Sequence, residues 1–324
     1  MIEKQLFIKK YNISEELIKN SEMSWEDLCA VYDDYSKNKY EKYKKIMEDF
    51  LNNYLRDINE ENKFGEGKEV KIHSIRYRVK DAEHLIVKII RKKQENQLKY
   101  RLLDKYNYEK FVTDLIGIRC LVLFKDDWEN LHYYLMSKFE NNVEYYIKDS
   151  ISDFDDNVEH NYFAEKPKVH IRNGDSRECY EKVLPPDSVI DNKIYRSIHY
   201  IIKFEGVYLE IQVRTLFEEG WGEVNHAVVY PYYQNDKILK EYTELLNRLS
   251  GLADEMSGFF NRLKQLEISN IQNNENKENN NDNNTDEANG RDTEKINVQE
   301  DEEKISNMDQ CNTPADCLKK VCSE

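Results

Sequence analysis

In the run VYLEIQVRT (207–215), Val207, Leu209, Ile211 and Val213 share one face, and Tyr208, Glu210, Gln212 and Arg214 share the other. The preceding run alternates in the same way, with Ile198, Tyr200, Ile202 and Phe204 on one side and Ser197, His199 and Lys203 on the other. Glu205-Gly206 separates the two, so they predict a β-hairpin. The outer face of a half-buried strand needs only solvated groups. A carboxylate, an amide and a guanidinium in line, opposite a strand bearing His199, make either an ion-paired solvated face or a surface for a metal ion and phosphates.

Two other stretches bear on that choice. FVTDLIGIRCLVLF (111–124) predicts a buried strand with Asp114 at its mouth and Arg119 inside it. Charges there are costly unless they are paired or hold a ligand. In RYRVKDAEHLIVKIIRKK (76–93), Arg76, Arg78 and Lys80 stand at i, i+2 and i+4, so an extended chain points all three the same way. Lys88 follows two turns into the predicted helix. The cluster reads as a solvated basic edge or as a grip for a polyphosphate. Asp114 and Glu210 with these cations form the set required for magnesium-assisted transfer from a nucleoside triphosphate. The metal neutralises phosphate charge, the carboxylates hold it, and one of them accepts a proton from the attacking hydroxyl. Neither G-x-x-x-x-G-K-[ST] nor G-x-G-x-x-G occurs, which argues against a Walker NTPase or a protein kinase.

The elements that must position these groups are legible in outline. A short helix is predicted at Ser14–Asn20 and a helix or helix pair from Ser24 to about Leu55, the latter opened by a Ser24-x-x-Asp27 cap. A Val/Ile/Tyr-rich strand (Glu69–Lys80) leads into a helix from Ala82 to Lys93. A helix at Asp126–Phe139, short strands at Val143–Lys148 and Lys168–Ile171, and a long acidic loop over Ile151–Ile190 precede the hairpin. Helices at Leu216–Val229 and Lys237–Leu266 follow it, the last with a regular apolar repeat from Leu239 to Leu263. This order predicts an α+β domain with a mixed sheet over residues 1–268. From Ser269 the sequence collapses to Asn, Glu, Asp and Lys, predicting a disordered acidic tail over 269–324.

The 324 residues carry a net charge of −15, of which the tail holds a large share: residues 267–324 have 15 acidic and 6 basic side chains. That balance argues against broad binding to nucleic acid. No run of 18 apolar residues and no signal-peptide core is present, so a cytoplasmic protein without membrane contact is expected. Cys29, Cys120 and Cys179 read as ordinary thiols. Cys311, Cys317 and Cys322 cluster without C-x-x-C spacing or His partners.

In combination, these motifs resemble the synthetase domain of RelA/SpoT-type (p)ppGpp synthetases, over about Lys71–Tyr230. The family's R-x-K-x-x-x-S-x-x-x-K grip for ATP is met by Arg78, Lys80 and Lys88, with His84 in the Ser position. Its D-x-x-x-x-R pattern is met by Asp114, implied to bind Mg²⁺, and Arg119, implied to bind ATP. Its G-Y-x-S-x-H becomes Ile194, Tyr195, Arg196, Ser197, Ile198 and His199, with Tyr195 implied to stack on the acceptor guanine. E-I-Q-V-R-T supplies Glu210, the second Mg²⁺ ligand and base toward the ribose 3′-OH, with Gln212 and Arg214 lining the acceptor site. W-x-E-x-x-H-x-x-x-Y is met by Trp221, Glu223, His226 and Tyr230, with Asn225 where many relatives carry an acid.

The resemblance implies a nucleotidyltransferase-like mixed β-sheet wrapped by helices. It implies transfer of the β,γ-pyrophosphate of ATP to the 3′-OH of GDP or GTP, with Mg²⁺ as cofactor and AMP released. No His-Asp dipeptide occurs and only about 70 residues precede the motifs, so a small synthetase without its own hydrolase is expected, and relatives of that kind are frequently homo-oligomers. Two other readings share the residues. In one, a toxin-type relative pyrophosphorylates the 3′ end of tRNA, against which the acidic 151–160 segment argues. In the other, a guanine-nucleotide sensor has lost catalysis, against which intact Asp114 and Glu210 argue.

Overall fold

A computed structural model of the chain describes residues 3–56, 58, 69–95, 98–139, 162–172, 175–192, 195–229 and 236–281. The strand expected at Val143–Lys148, the acidic 151–160 segment, Ile194, Tyr230 and the tail cysteines lie outside them. Two compact units divide the chain, 1–266 and 267–324, and the sheet and its helices belong to the first.

Seven strands form one mixed sheet in the order β1 (Ser74–Val79), β2 (Ile116–Val122), β7 (Val207–Thr215), β6 (Ser197–Phe204), β4 (Lys168–Arg172) and β5 (Val189–Asn192), with β3 (Tyr162–Phe163) also pairing with β6. β2–β7 and β4–β5 are parallel and the other pairs antiparallel. The expected hairpin is β6–β7. Its turn residues Glu205 and Gly206 have φ of 47° and 77°. Two positive φ values in a two-residue loop match the right-handed twist of the flanking strands, and the glycine adopts its value without a Cβ penalty.

The register gives each face of the sheet its character. Ile118, Ile211 and Tyr200 face one way in adjacent strands, as do Cys120, Val213 and Ile198, and all are buried. This apolar face is covered by α4 (Tyr40–Tyr54) and α7 (Trp128–Lys138). Phe50 of α4 lies parallel to Phe139, just beyond α7, at 5.7 Å, and meets Phe204 of β6 edge-on at 5.2 Å.

α1 (Lys4–Tyr11), α2 (Glu15–Asn20) and α3 (Trp25–Asp34) precede this layer. Ser14 and Ser24 cap α2 and α3 through Leu17 N and Asp27 N, as Ser at an N-cap does for otherwise unpaired amides. Of the helix or helix pair expected from Ser24 to about Leu55, the structure shows the pair: a π-type segment at Tyr35–Lys39 separates α3 from α4. There Tyr35 is fully buried and its hydroxyl donates to Lys80 O at 2.7 Å. The expected strand at Phe111–Phe124 is likewise shorter. Tyr108–Phe111 is a helical turn (α6) and pairing starts at Ile116, which leaves Asp114 in the connection, free of the ladder.

α5 (Ala82–Glu95) follows β1, α8 (Glu178–Glu181) lies between β4 and β5, and α9 (Leu216–Val228) follows β7, capped by Thr215 through Glu218 N. α10 spans Lys237–Asn281, continuing past Ser269, where composition alone places the start of the tail. Among the described residues no helix is long and apolar enough to cross a membrane.

His132 of α7 is 4% exposed, with Nδ1 at 3.2 Å from the Tyr200 hydroxyl. Burial lowers its pKa from 6.5 to about 4. A folded-state value below the unfolded one means that this contribution is fully present above pH 6.5 and is lost as pH falls toward 4. The loss is about 3 kcal/mol for such a shift. Unfolding free energies from denaturant titration will carry that loss between pH 7 and pH 4, and His132→Gln, which keeps an acceptor for Tyr200, will flatten this part of the curve.

Candidate functional site

The other face of the same strands is polar. Register sets Arg78, Gly117 and Glu210 side by side, then Arg76, Arg119, Gln212 and His199, then Leu121, Arg214 and Ser197. Residues directly opposite in adjacent strands point to one side. These groups therefore reach one surface from four strands. A cavity of about 240 Å³ opens on it, lined by Arg76, Arg78, Asp114, Gly117, Arg119, Glu210, Gln212 and Glu223. Gly117 forms part of its floor. A Cβ there would meet only Arg78 Cγ, at 4.0 Å.

Asp114 enters the cavity from the connection before β2. Its Oδ2 faces Lys80 Nζ at 3.1 Å and Lys88 Nζ at 3.4 Å. Its Oδ1 is buried and has no hydrogen-bond partner. Burial would raise the pKa of this carboxyl, but the two lysines outweigh it and hold the group below the usual carboxylate range.

Glu210 belongs to a closed ring of hydrogen bonds. Arg214 Nη2 donates to the Tyr195 hydroxyl at 2.6 Å and to Gln212 Oε1 at 2.7 Å. Gln212 Nε2 donates to Glu210 Oε2 at 2.7 Å. Tyr195 OH lies 2.8 Å from His199 Nε2, and His199 Nδ1 lies 3.3 Å from Glu210 Oε1. One set of directions satisfies every link: the tyrosine hydroxyl, accepting from Arg214, donates to Nε2, and the proton on Nδ1 points at Glu210. Burial pushes the Glu210 carboxyl up, but the contact with His199 brings it below its usual value.

At the outer edge of the ring, the Arg214 guanidinium lies 5.0 Å above the Tyr195 ring. His170 of β4 packs against Tyr195 and His199, with ring centroids 5.5 and 4.9 Å away. Tyr195, His199 and His170 thus form an aromatic wall beside Glu210.

Across the cavity, two cations are already neutralised by α9. Arg119 Nη1 contacts Glu219 at 2.9 Å and Glu223 at 2.7 Å. Arg76 Nη1 reaches the same two carboxylates at 3.4 and 3.6 Å. Arg214 also approaches Glu219, at 3.4 Å.

Of the residues singled out by sequence, Arg78, Asp114, Arg119, Glu210 and Gln212 line one cavity. Lys80 and Lys88 reach it through Asp114, and Tyr195, His199 and Arg214 adjoin it through the ring. His226 stands on the exposed last turn of α9 and does not line the cavity. His84 turns away, its Nδ1 paired with Asp81 at the start of α5. Sequence reasoning missed His170, Gly117 and Glu219. Glu223 was visible in the W-x-E-x-x-H motif.

Residues 77–235 match the family described as the region found in RelA/SpoT proteins. No curated protein matches the chain in sequence. Among solved structures, the chain is similar to small alarmone synthetase 1 from Bacillus subtilis bound to its product pppGpp (16% identity, TM-score 0.44, covering 69% of this chain and 94% of that one). It is similar also to the same synthetase bound to AMPCPP (18% identity, TM-score 0.42, 69% and 93%). A GTP pyrophosphokinase family protein from Streptococcus pneumoniae is a third (20% identity, TM-score 0.38, 74% and 94%).

Proposed function

Residues 77–235 of this chain belong to the RelA/SpoT family, and on that premise we propose that the protein transfers the β,γ-pyrophosphate of ATP to the ribose 3′-OH of GDP or GTP. The observation that carries this reading is the meeting of two carboxylates, Asp114 and Glu210, on one cavity with Arg76, Arg78 and Arg119. A polyphosphate needs convergent cations, and a hydroxyl nucleophile needs a base beside them.

The site fits Mg²⁺. Asp114 presents a buried oxygen without a partner, and Glu210 lines the same cavity. Among the described residues no group of three or more His, Cys, Asp or Glu gathers as a metal site. Two carboxylates suffice for Mg²⁺, which keeps waters and takes the rest of its shell from substrate phosphates. Asp114 and Glu210 would hold the ion, which when bound neutralises phosphate charge.

In this reading Arg78, Lys80 and Lys88 bind the triphosphate. Arg119 and Arg76 join them by exchanging Glu219 and Glu223 for phosphate oxygens. Tyr195 stacks on the acceptor base, with His199 and Arg214 orienting it. Glu210, kept ionised beside His199, accepts the 3′-OH proton as that oxygen attacks the β-phosphorus. The bond from the β-phosphorus to the α,β-bridging oxygen breaks and AMP leaves.

Purified protein given γ-³²P-ATP and Mg²⁺ with GMP, GDP, GTP or tRNA tests this. Label on GDP or GTP with equimolar AMP is expected. Label on tRNA, release of ADP, or no transfer at all would overturn it. The cavity floor gives a separate check. Gly117→Val, which adds bulk between Arg78 and Glu210, will raise the KM for ATP about tenfold or more while leaving the thermal midpoint nearly unchanged.

A further inference from the structure

α10 turns its polar side inward. Thr243, Asn247 and Asp254 are buried. Thr243 O accepts from Trp221 Nε1 at 2.8 Å, Asn247 Oδ1 from Arg172 Nε at 2.9 Å, and Asp254 Oδ2 from Arg196 Nη1 at 2.9 Å. At Gly251 an added Cβ would come within 3.0 Å of the Arg172 guanidinium, so the helix approaches closely there.

The outward side carries Ile238, Tyr242, Leu245, Leu249, Leu252, Met256, Phe259, Leu263 and Leu266, each between 38% and 68% exposed. Their spacing alternates four and three without a break. A surface helix ordinarily shows the reverse arrangement, apolar inside and polar outside. An unbroken 3.5-residue apolar repeat fits another helix with the same repeat better than it fits a flat surface.

We propose that this stripe pairs with the same stripe of a second copy of the chain, as an antiparallel two-stranded coiled coil whose two-fold axis passes between Ser250 and Gly251. Tyr242, Leu249, Met256 and Leu263 take one heptad core position, and Ile238, Leu245, Leu252, Phe259 and Leu266 the other. The axis then brings Leu249 to Leu252 of the other copy, and Leu245 to Met256.

The flanking residues argue for this orientation and register. Along one edge, Glu241, Arg248, Glu255 and Arg262 alternate in sign. The axis sets Arg248 against Glu255 and Glu241 against Arg262, every pair opposite in charge. Along the other edge it sets Leu239 near Phe260 and Leu246 near Ala253, apolar against apolar. A shift of one heptad would face Arg248 with itself and Glu241 with Glu255, like charges that specify against that register. Parallel pairing would instead place Arg248 beside Ala253 and Glu255 beside Phe260. Beyond Asn281 the apolar residues of the sequence (Ile296, Val298, Ile305, Met308, Leu318, Val321) hold no such repeat.

Sedimentation equilibrium of the full chain over 0.5–50 μM (roughly the range that brackets a micromolar dimer) tests the proposal, and a monomer throughout would overturn it. Arg248→Glu and Glu255→Arg, each alone, are expected to weaken association about tenfold or more, because every dimer contains both pairs twice. The double variant Arg248→Glu/Glu255→Arg is expected to regain it. Association unaffected by Arg248→Glu, or not restored by the double exchange, would overturn the antiparallel register. Glu255 also lies 3.8 Å from Lys125 and Arg196 of its own chain, so Arg248→Glu is the variant in which the thermal midpoint will stay unchanged while association weakens.

Discussion

Glu210→Gln will lower pyrophosphate transfer about 10³-fold or more while changing the dissociation constant for ATP by no more than about threefold. The substitution is isosteric, so β7 keeps its register and the cavity its volume. What changes is the charge and one acceptor. The carboxylate that His199 and Gln212 now hold ionised becomes an amide, which can accept one of their two hydrogen bonds but not both. On the proposed reading, the base for the 3′-OH and one of two anionic metal ligands would be lost together. Arg78 of β1, Lys88 of α5 and Lys80 between them, the residues proposed to bind the triphosphate, are untouched. Label transfer from γ-³²P-ATP measures the first effect and equilibrium dialysis with ATP the second. Retained turnover would remove Glu210 from the chemistry and leave the ring of hydrogen bonds with a structural role only.

How this site was written in the sequence depends on which neighbours were local. Glu210, Gln212 and Arg214 announced themselves because period-two alternation puts them on one face regardless of what lies across the sheet. Asp114 stood out because a charge at the mouth of an apolar run is costly unless it is used. The element boundaries around it were less legible: the helical turn at Tyr108–Phe111 and the late start of β2 are set by packing, which the apolar run does not encode.

Partners brought from a distance left no such mark. Glu219 and Glu223 look like the solvated side of α9, and only the sheet register shows that Arg119 and Arg76 end beneath them. His170 sits on the five-residue strand β4, too short for a pattern, and meets Tyr195 and His199 through tertiary contact alone. In α10 the repeat from Tyr242 to Leu263 predicted the helix correctly but not its orientation. Buried guanidiniums on β4 and ahead of β6 draw its polar face inward and leave the apolar stripe outside.

Those guanidiniums set the second large effect. Arg196→Leu will cost about 3–5 kcal/mol of stability at pH 7, read from urea or guanidinium unfolding. Arg196 is 5% exposed, hydrogen-bonds two carboxylates and lies 3.8 Å from a third, Glu255. It contacts Asp175 through Nε at 2.9 Å and Nη2 at 2.8 Å, and Asp254 through Nη1 at 2.9 Å. Burial by itself would lower its pKa, but the two acids raise it above its ordinary value, so it remains charged. Leucine fills much of the space yet leaves Asp254, whose side chain is 1% exposed, without its counter-ion, and an uncompensated buried charge costs more than the pair itself contributes. Arg196→Leu/Asp254→Leu, which removes both charges, will therefore be more stable than Arg196→Leu alone. The loss will also reach the site, because Arg196 lies between Tyr195 and Ser197 and ties the start of β6 to α10. With that tie gone, Tyr195 loses the fixed backbone that aims its hydroxyl at His199, and kcat/KM for the guanine nucleotide will fall further than the KM for ATP rises. Equal losses for both substrates would mean that Arg196 supports the fold but not the placement of Tyr195.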